Sequence, residues 1–212
     1  MIIYGSSLSP FVRKTLAFLS EKGLTAEVKP VNFQDQDPAF RGASPFGKMP
    51  GFRDGDFAIS DSTAIITYIE AKHPEPALLP TEPESRARTI WYEEFADTIL
   101  VATMGKVFFN RIVSPMFLGT PGDLAAAETA EKDEFPPLID YIERVMPDSG
   151  HLVDDRLTLA DLAVASPFVN FGHCGITVDA GTHPKTAAFV DAILARPSFA
   201  PIVAQEKQFF AR

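Results

Sequence analysis

A proline-rich segment divides the sequence into two parts with different secondary-structure patterns. Four prolines lie in the segment from His73 to Pro83, and helices and strands rarely continue through residues that lack an N–H donor. Before this segment, short apolar runs alternate with helical periods; after it, almost all periods are helical. A chain of 212 residues is long enough for two domains. We therefore predict a first domain at residues 1–80, a linker at residues 81–84 and a second domain at residues 85–212.

The first part has the pattern of a small mixed α/β domain. Strands are predicted at Ile2–Tyr4 and Ala26–Lys29, and the turn sequence Asp54-Gly55 between two short runs predicts a hairpin. Helices are predicted from Pro10 to Lys22 and from Asp61 to Lys72. The predicted order is therefore β-α-β, then a segment with at most one short helix, then β-β-α.

The second part is predicted to be all-helical. Long helices are expected from Arg86 to about Val113, bent near Gly105, and from Leu124 to Met146, interrupted at Pro136-Pro137. Further helices are expected at 158–171, 183–194 and 199–210. Thr158 and Asp161 form a variant of the capping box that begins the first of these.

The composition excludes several classes of protein. The net charge of −9 disfavours binding to phosphate backbones, so we expect no nucleic-acid partner. No stretch of about 18 uncharged apolar residues occurs, so we expect no membrane span. A single cysteine cannot form an internal disulfide, and the first residues do not resemble a signal peptide. We therefore expect a soluble protein of the cytoplasm.

Three short motifs could bind a ligand. Ser9 lies where the first helix begins, and free N–H groups with the positive end of the helix dipole favour an anion there, including a thiolate. A cis bond at Met49-Pro50 would leave the Met49 main chain free to pair with an extended peptide. Asp61-Ser62 begins the next long helix, where it could bind an ammonium and a carboxylate group. Each motif also has a plain alternative, since Ser9 and Asp61 could be ordinary helix caps and Pro50 an ordinary trans proline.

In order and spacing, these motifs resemble the cytosolic glutathione transferases. The resemblance rests on Ser9-Pro10-Phe11-Val12-Arg13-Lys14, Lys48-Met49-Pro50, Asp61-Ser62 and Leu157-Thr158-Leu159-Ala160-Asp161, and it covers the whole chain. The resemblance is strongest for the serine-type classes, such as tau and related bacterial enzymes. It implies a thioredoxin-like first domain followed by an all-helical bundle. One departure, Gly51-Phe52 in place of a branched apolar residue, predicts a shortened or bent strand.

The resemblance also implies roles for individual residues. Ser9 would be the catalytic residue, because its hydroxyl would donate to the glutathione sulfur and favour the thiolate. Met49, before Pro50, would pair with the main chain of the glutathione cysteine. Glutathione-binding residues would thus be Ser9, Phe11, Lys48, Met49, Pro50, Asp61 and Ser62, with Arg41 a weaker candidate for the glycine carboxylate.

The electrophile pocket is expected between the domains, with Met104, Phe108 and Arg111 at helical spacing. Met and Phe at such spacing more often fill a core. The adjacent pair His173-Cys174 lacks a second pair at ligand spacing, so no metal is expected. The predicted protein is a homodimeric transferase that activates the glutathione thiol for attack on a small hydrophobic electrophile. The alternative is a non-catalytic binding module of the same fold.

Overall fold

Backbone contacts divide the chain into two units. The computed structural model describes residues 1–32 and 34–211. The first unit contains Met1–Leu79 together with the residues from Arg196 onward, and the second is Pro80–Ala195. The sequence pattern alone groups the last helix with the other helices of the second part, whereas the structure groups it with the mixed α/β unit.

The first unit is built on a sheet of four strands. These are β1 (Ile2–Tyr4), β2 (Glu27–Lys29), β3 (Gly51–Asp54) and β4 (Phe57–Ser60), in the spatial order β2-β1-β3-β4. β1 and β2 are parallel, whereas β3 is antiparallel to both β1 and β4. The hairpin turn contains Gly55 at a φ of 61°, a conformation that favours glycine. β3 pairs with β4 over Gly51–Asp54 and with β1 over residues 51–53, so Gly51 and Phe52 both pair on each side and do not shorten the strand.

The described residues of the first unit form four helices. They are α1 (Pro10–Glu21), α2 (Pro38–Ala43), α3 (Ser62–Lys72) and, at the end of the chain, α10 (Ala200–Phe210). α1 packs against α3, and α2 packs against β3 and β4. Ile3, Phe18, Phe52, Ile65 and Ile69 are fully buried and form part of the core. This sheet with its helices is the thioredoxin-like arrangement that the resemblance implies, and it confirms the predicted fold class.

The second unit is helical. It contains α4 (Pro83–Glu94), α5 (Val101–Phe108), α6 (Leu124–Thr129), α7 (Phe135–Val145), α8 (Leu159–His173) and α9 (Pro184–Leu194). α8 is the central helix, since its residues from Leu159 to Phe171 are all buried. At its start the Thr158 N–H donates to Asp161 Oδ2 at 2.8 Å, which confirms the capping box.

The two long helices differ from their predictions at their irregular points. α4 and α5 join into one helix that runs through π-helical turns at Phe95–Leu100 and Phe109–Leu118, without ending near Val113. π-helical turns at Ala130–Glu134 likewise join α6 to α7. Pro136 and Pro137 lie in the first turn of α7, directly after these π-helical turns, so the irregular part of the helix coincides with the two prolines. Within the described part of the chain, no helix is both long enough and apolar enough to cross a membrane.

Candidate functional site

Three loops meet at one end of the sheet because of its register. Tyr4, the last residue of β1, pairs with Gly51, the first residue of β3. Gly51 in turn pairs with Ser60, the last residue of β4. The loop that leads to Ser9, the Met49-Pro50 segment and the Asp61-Ser62 segment therefore all leave the sheet at the same end. The strand pairing brings together the three motifs that are far apart in the sequence.

Ser9 lies at the N-terminus of α1, and its side chain does not cap the helix. Its backbone has the extended conformation of a capping residue, and its carbonyl accepts the Arg13 N–H at 3.0 Å. Its hydroxyl makes no capping hydrogen bond, however. The structure therefore does not support the alternative in which the Ser9 side chain is an ordinary helix cap. Ser9 is half-buried, and its hydroxyl has no hydrogen-bond partner among the described residues. As the N-cap residue it lies next to the N–H groups of the first turn of α1, which the helix itself does not pair.

Gly5 permits a close approach between the first loop, α1 and Met49. A side chain at Gly5 would place its Cβ 2.6 Å from Val12 Cγ2 and 3.5 Å from Met49 Cβ, and the Gly5 φ of 156° is rare for other residues. Gly5 directly follows the predicted strand Ile2–Tyr4. A glycine directly after a buried strand was the available signal for such a close approach.

Met49 is fixed by packing while its main chain stays open. Its side chain packs against the cluster of Tyr4, Phe40 and Ala43, and the Met49-Pro50 peptide bond is cis. Among the described residues, neither its N–H nor its carbonyl takes part in a backbone hydrogen bond. The preceding residue is held in place, because Ser44 Oγ donates to the Lys48 carbonyl at 2.7 Å. A main chain of this kind can pair with an extended peptide.

Asp61 caps α3 from a strained backbone conformation. Its Oδ1 accepts the N–H groups of Thr63 and Ala64 at 2.9 and 3.1 Å. Its φ is 83°, in the left-handed region that costs a non-glycine residue about 1–3 kcal/mol and that occurs often at ligand sites. The capping role is therefore real, and within the described part of the chain both capping hydrogen bonds go to Oδ1, which leaves Oδ2 available. Next to it, Ser62 is buried at 3% exposure in the first turn of α3.

The remaining glutathione-binding candidates lie on the same elements. Phe11 is half-buried in the first turn of α1, and the Lys48 side chain is exposed. Arg41 is held by a hydrogen bond from its Nε to the Asp35 carbonyl at 2.7 Å, and its guanidinium lies against Gly47. Of Lys48 and Arg41, Lys48 therefore has the more exposed side chain.

The candidate electrophile-pocket residues lie in the second unit. Met104 and Phe108 are buried, at 3% and 7% exposure, which favours a role in the core of this unit. Arg111 forms an ion pair with Glu131, so its charge is compensated. Burial raises the pKa of the neighbouring Cys174 to about 11, although Arg111 lowers it in part. Within the described part of the chain, no group of three or more His, Cys, Asp or Glu side chains could hold a metal ion.

Comparisons with known proteins show the family to which the chain belongs. The family models for the N-terminal and C-terminal domains of glutathione S-transferases match residues 3–77 and 108–205. A glutathione S-transferase of Hyoscyamus muticus is 32% identical over 96% of this chain and 97% of its own length.

Two solved structures are also similar. A glutathione S-transferase from Rhodospirillum rubrum F11 has a TM-score of 0.86 at 25% identity and covers 95% of this chain and 90% of its own. One from Methylobacterium radiotolerans, in complex with glutathione sulfonate, has a TM-score of 0.76 at 26% identity and covers 95% of this chain and 93% of its own. These similarities in sequence and fold show that the chain belongs to the glutathione S-transferase family.

Proposed function

We propose that the protein activates the thiol of glutathione at Ser9 and adds the resulting thiolate to a small hydrophobic electrophile. One observation carries this proposal: the Ser9 hydroxyl lies at the N-terminus of α1 and does not cap it. A serine that served only the helix would donate or accept there. A hydroxyl left free at the positive end of a helix is suited to donate to an anion.

Ser9 acts by stabilising the charged form of the sulfur. A serine hydroxyl does not ionise near neutral pH, so it cannot remove the thiol proton as a base. By donating a hydrogen bond to the thiolate, it lowers the pKa of the thiol from about 8.5, and the N-terminus of α1 acts in the same direction. A shift of one pKa unit corresponds to about 1.4 kcal/mol, which one hydrogen bond to a charged group can supply.

The other loops would hold the rest of the tripeptide. The open main chain of Met49, before Pro50, would pair with the cysteine residue of glutathione. The second carboxylate oxygen of Asp61 would receive the γ-glutamyl ammonium group, and Ser62 would bind the adjacent carboxylate. Lys48 would face the glycine carboxylate, and Phe11 would lie beside the sulfur. The common position of these loops at one end of the sheet supports this assignment.

The proposal also includes an electrophile pocket and a homodimeric state. Met104, Phe108 and Arg111 are the candidates for its pocket, and the burial of the first two leaves little of their surface for a ligand. The resemblance further implies a homodimer in the cytoplasm. The free Ser9 hydroxyl favours an enzyme over a non-catalytic binding module, because a module has no need of an uncommitted donor beside a helix N-terminus.

The test is a titration with glutathione at neutral pH, followed by the ultraviolet absorbance of the thiolate. We expect a saturating signal from the unaltered protein, and we expect Ser9→Ala to abolish most of it and to lower turnover by about 10²-fold. Ser7→Ala is the matched control, since Ser7 is a half-buried serine of the same loop. Cys174 contributes little background because burial raises its pKa to about 11.

Two results of the glutathione titration would contradict the proposal. If Ser9→Ala retained the signal, the assignment of Ser9 would be wrong, and Ser6, Ser7 or Tyr4 would be the next candidates. If the unaltered protein gave no signal at millimolar glutathione, the non-catalytic binding module would be the better account.

A further inference from the structure

Helix α1 is tied at both ends to the C-terminal segment, which we define as Arg196–Phe210. Near its start, Arg13 Nε and a terminal nitrogen donate to the two carboxylate oxygens of Glu206 at 3.1 and 2.9 Å. At its end, the Glu21 carboxylate accepts two hydrogen bonds from Arg196 at 2.7 and 2.9 Å, and another from the Ser198 hydroxyl. The two pairs are 193 and 175 residues apart in the sequence.

The pair at the start of α1 is the more deeply buried. Arg13 is 0% exposed and Glu206 is 3% exposed. A charge in such a place is tolerated only when its partner compensates it. The two parallel N–H···O bonds also fix the orientation of the guanidinium as well as its distance. Arg13 therefore has a defined position that depends on Glu206.

Arg13 is one helical turn from Ser9. The Arg13 N–H donates to the Ser9 carbonyl at 3.0 Å, which closes the first turn of α1. A displacement of Arg13 would therefore be transmitted to Ser9 through a single hydrogen bond. The donation from the Ser9 hydroxyl to a sulfur depends strongly on position, because a misplacement of about 1 Å can cost about 10²-fold in rate.

We propose that Arg13 and Glu206 are positioning residues, which hold the first turn of α1 so that the Ser9 hydroxyl meets the glutathione sulfur. This inference rests on the proposed role of Ser9. Neither residue needs to touch glutathione. The Glu21–Arg196 pair lies at the far end of the same helix, so it stabilises α1 without setting the position of Ser9.

The experiment measures the pKa of the bound glutathione thiol from its thiolate absorbance as a function of pH. Glu206→Gln keeps the shape of the side chain and removes its charge, and we expect the thiol pKa to rise by about one unit toward the free value. The matched control is Glu21→Gln, which also breaks an Arg–carboxylate pair of α1. We expect Glu21→Gln to lower thermal stability while it leaves the thiol pKa unchanged.

Either of two outcomes with Glu206→Gln would overturn the inference. In one, Glu206→Gln leaves the thiol pKa unchanged. In the other, both glutamine variants raise it equally, which would mean a general loosening of α1. If Glu206→Gln does not fold, Arg13→Lys decides, because it keeps the charge but loses the second hydrogen bond; an unchanged pKa there also overturns it. Ser9→Ala separates this failure from that of the proposed function: it must still lose the thiolate signal when only the positioning role is wrong.

Discussion

The ammonium nitrogen of Lys22, at the end of α1, lies 2.8 Å from the carbonyl oxygen of His73, at the end of α3. It also donates to the carbonyls of Pro74 and Pro76 and forms an ion pair with Glu70. The Lys22 side chain is 0% exposed. A single buried cation thus satisfies the carbonyl of His73, the C-cap of α3, and those of two prolines that follow it, none of which a continuing helix can pair.

Replacement of this cation should destabilise the protein strongly. In Lys22→Met three carbonyls lose their donor and the buried Glu70 keeps an unpaired charge, so we expect the free energy of unfolding to fall by about 3 kcal/mol. Denaturant unfolding measures this change. Lys29→Met is the control, because Lys29 is largely exposed and 3.9 Å from its partner Glu27. Equal stability of the two variants would contradict a structural role for Lys22.

The Glu21–Arg196 pair should contribute to stability in a pH-dependent way. The hydrogen bond from Arg196 lowers the pKa of the Glu21 carboxyl; burial opposes it, and Ser198 adds to it. Because the folded pKa lies below the ordinary value of 4.5, the contribution is complete above that pH and is lost as the pH falls through the folded pKa. The stability difference between the unaltered protein and Glu21→Gln should therefore shrink below about pH 4.5.

Arg196→Gln removes the same pair from the other side. The stability difference between the unaltered protein and this variant should therefore shrink in the same pH range. Urea unfolding between neutral pH and pH 3 measures both variants. A stability difference that stayed constant down to pH 3 would show that the pair does not lower the pKa of Glu21.

Cys174 should react slowly with thiol reagents in the folded protein. Burial raises its pKa from 9.0 to about 11, and Glu131 adds to this, while Arg111 opposes it. At neutral pH the thiolate fraction is then about a hundredfold lower than for an ordinary thiol. Labelling with iodoacetamide should accelerate about tenfold per pH unit up to pH 11, and the protein unfolded in urea is the control. Rapid labelling of the folded protein at neutral pH would contradict this.

Local patterns were sufficient to predict most of the elements. The apolar run of β1, the Asp-Gly turn of the hairpin and the capping box of α8 each depend on residues within a few positions of one another. The π-helical turns could not be predicted in this way, because they depend on how a long helix packs. The assignment of α10 to the first unit depends on partners such as Arg13 and Glu206, which are 193 residues apart.

The site shows the same division. Ser9, Met49 and Asp61 were predicted as site residues from their types and spacing, but the strand register through Tyr4 and Gly51 that brings them together is created only by folding. Whether Ser9 capped its helix was likewise undecidable from sequence, since serine suits both a cap and a free donor. The burial of Met104 and Phe108 depends on long-range packing in the second unit.

The two oxygens of Asp61 allow its capping role to be separated from ligand binding. Asp61→Asn keeps an oxygen that can accept the N–H groups of Thr63 and Ala64, and asparagine tolerates positive φ. We therefore expect little change in stability. The neutral amide no longer attracts an ammonium group, so the affinity for glutathione should fall about tenfold. The thiolate titration measures this affinity, and N-acetyl glutathione, which lacks the ammonium group, is the control ligand. It should bind the unaltered protein and Asp61→Asn equally; an equal loss of affinity for both ligands would assign Asp61 to the helix cap alone.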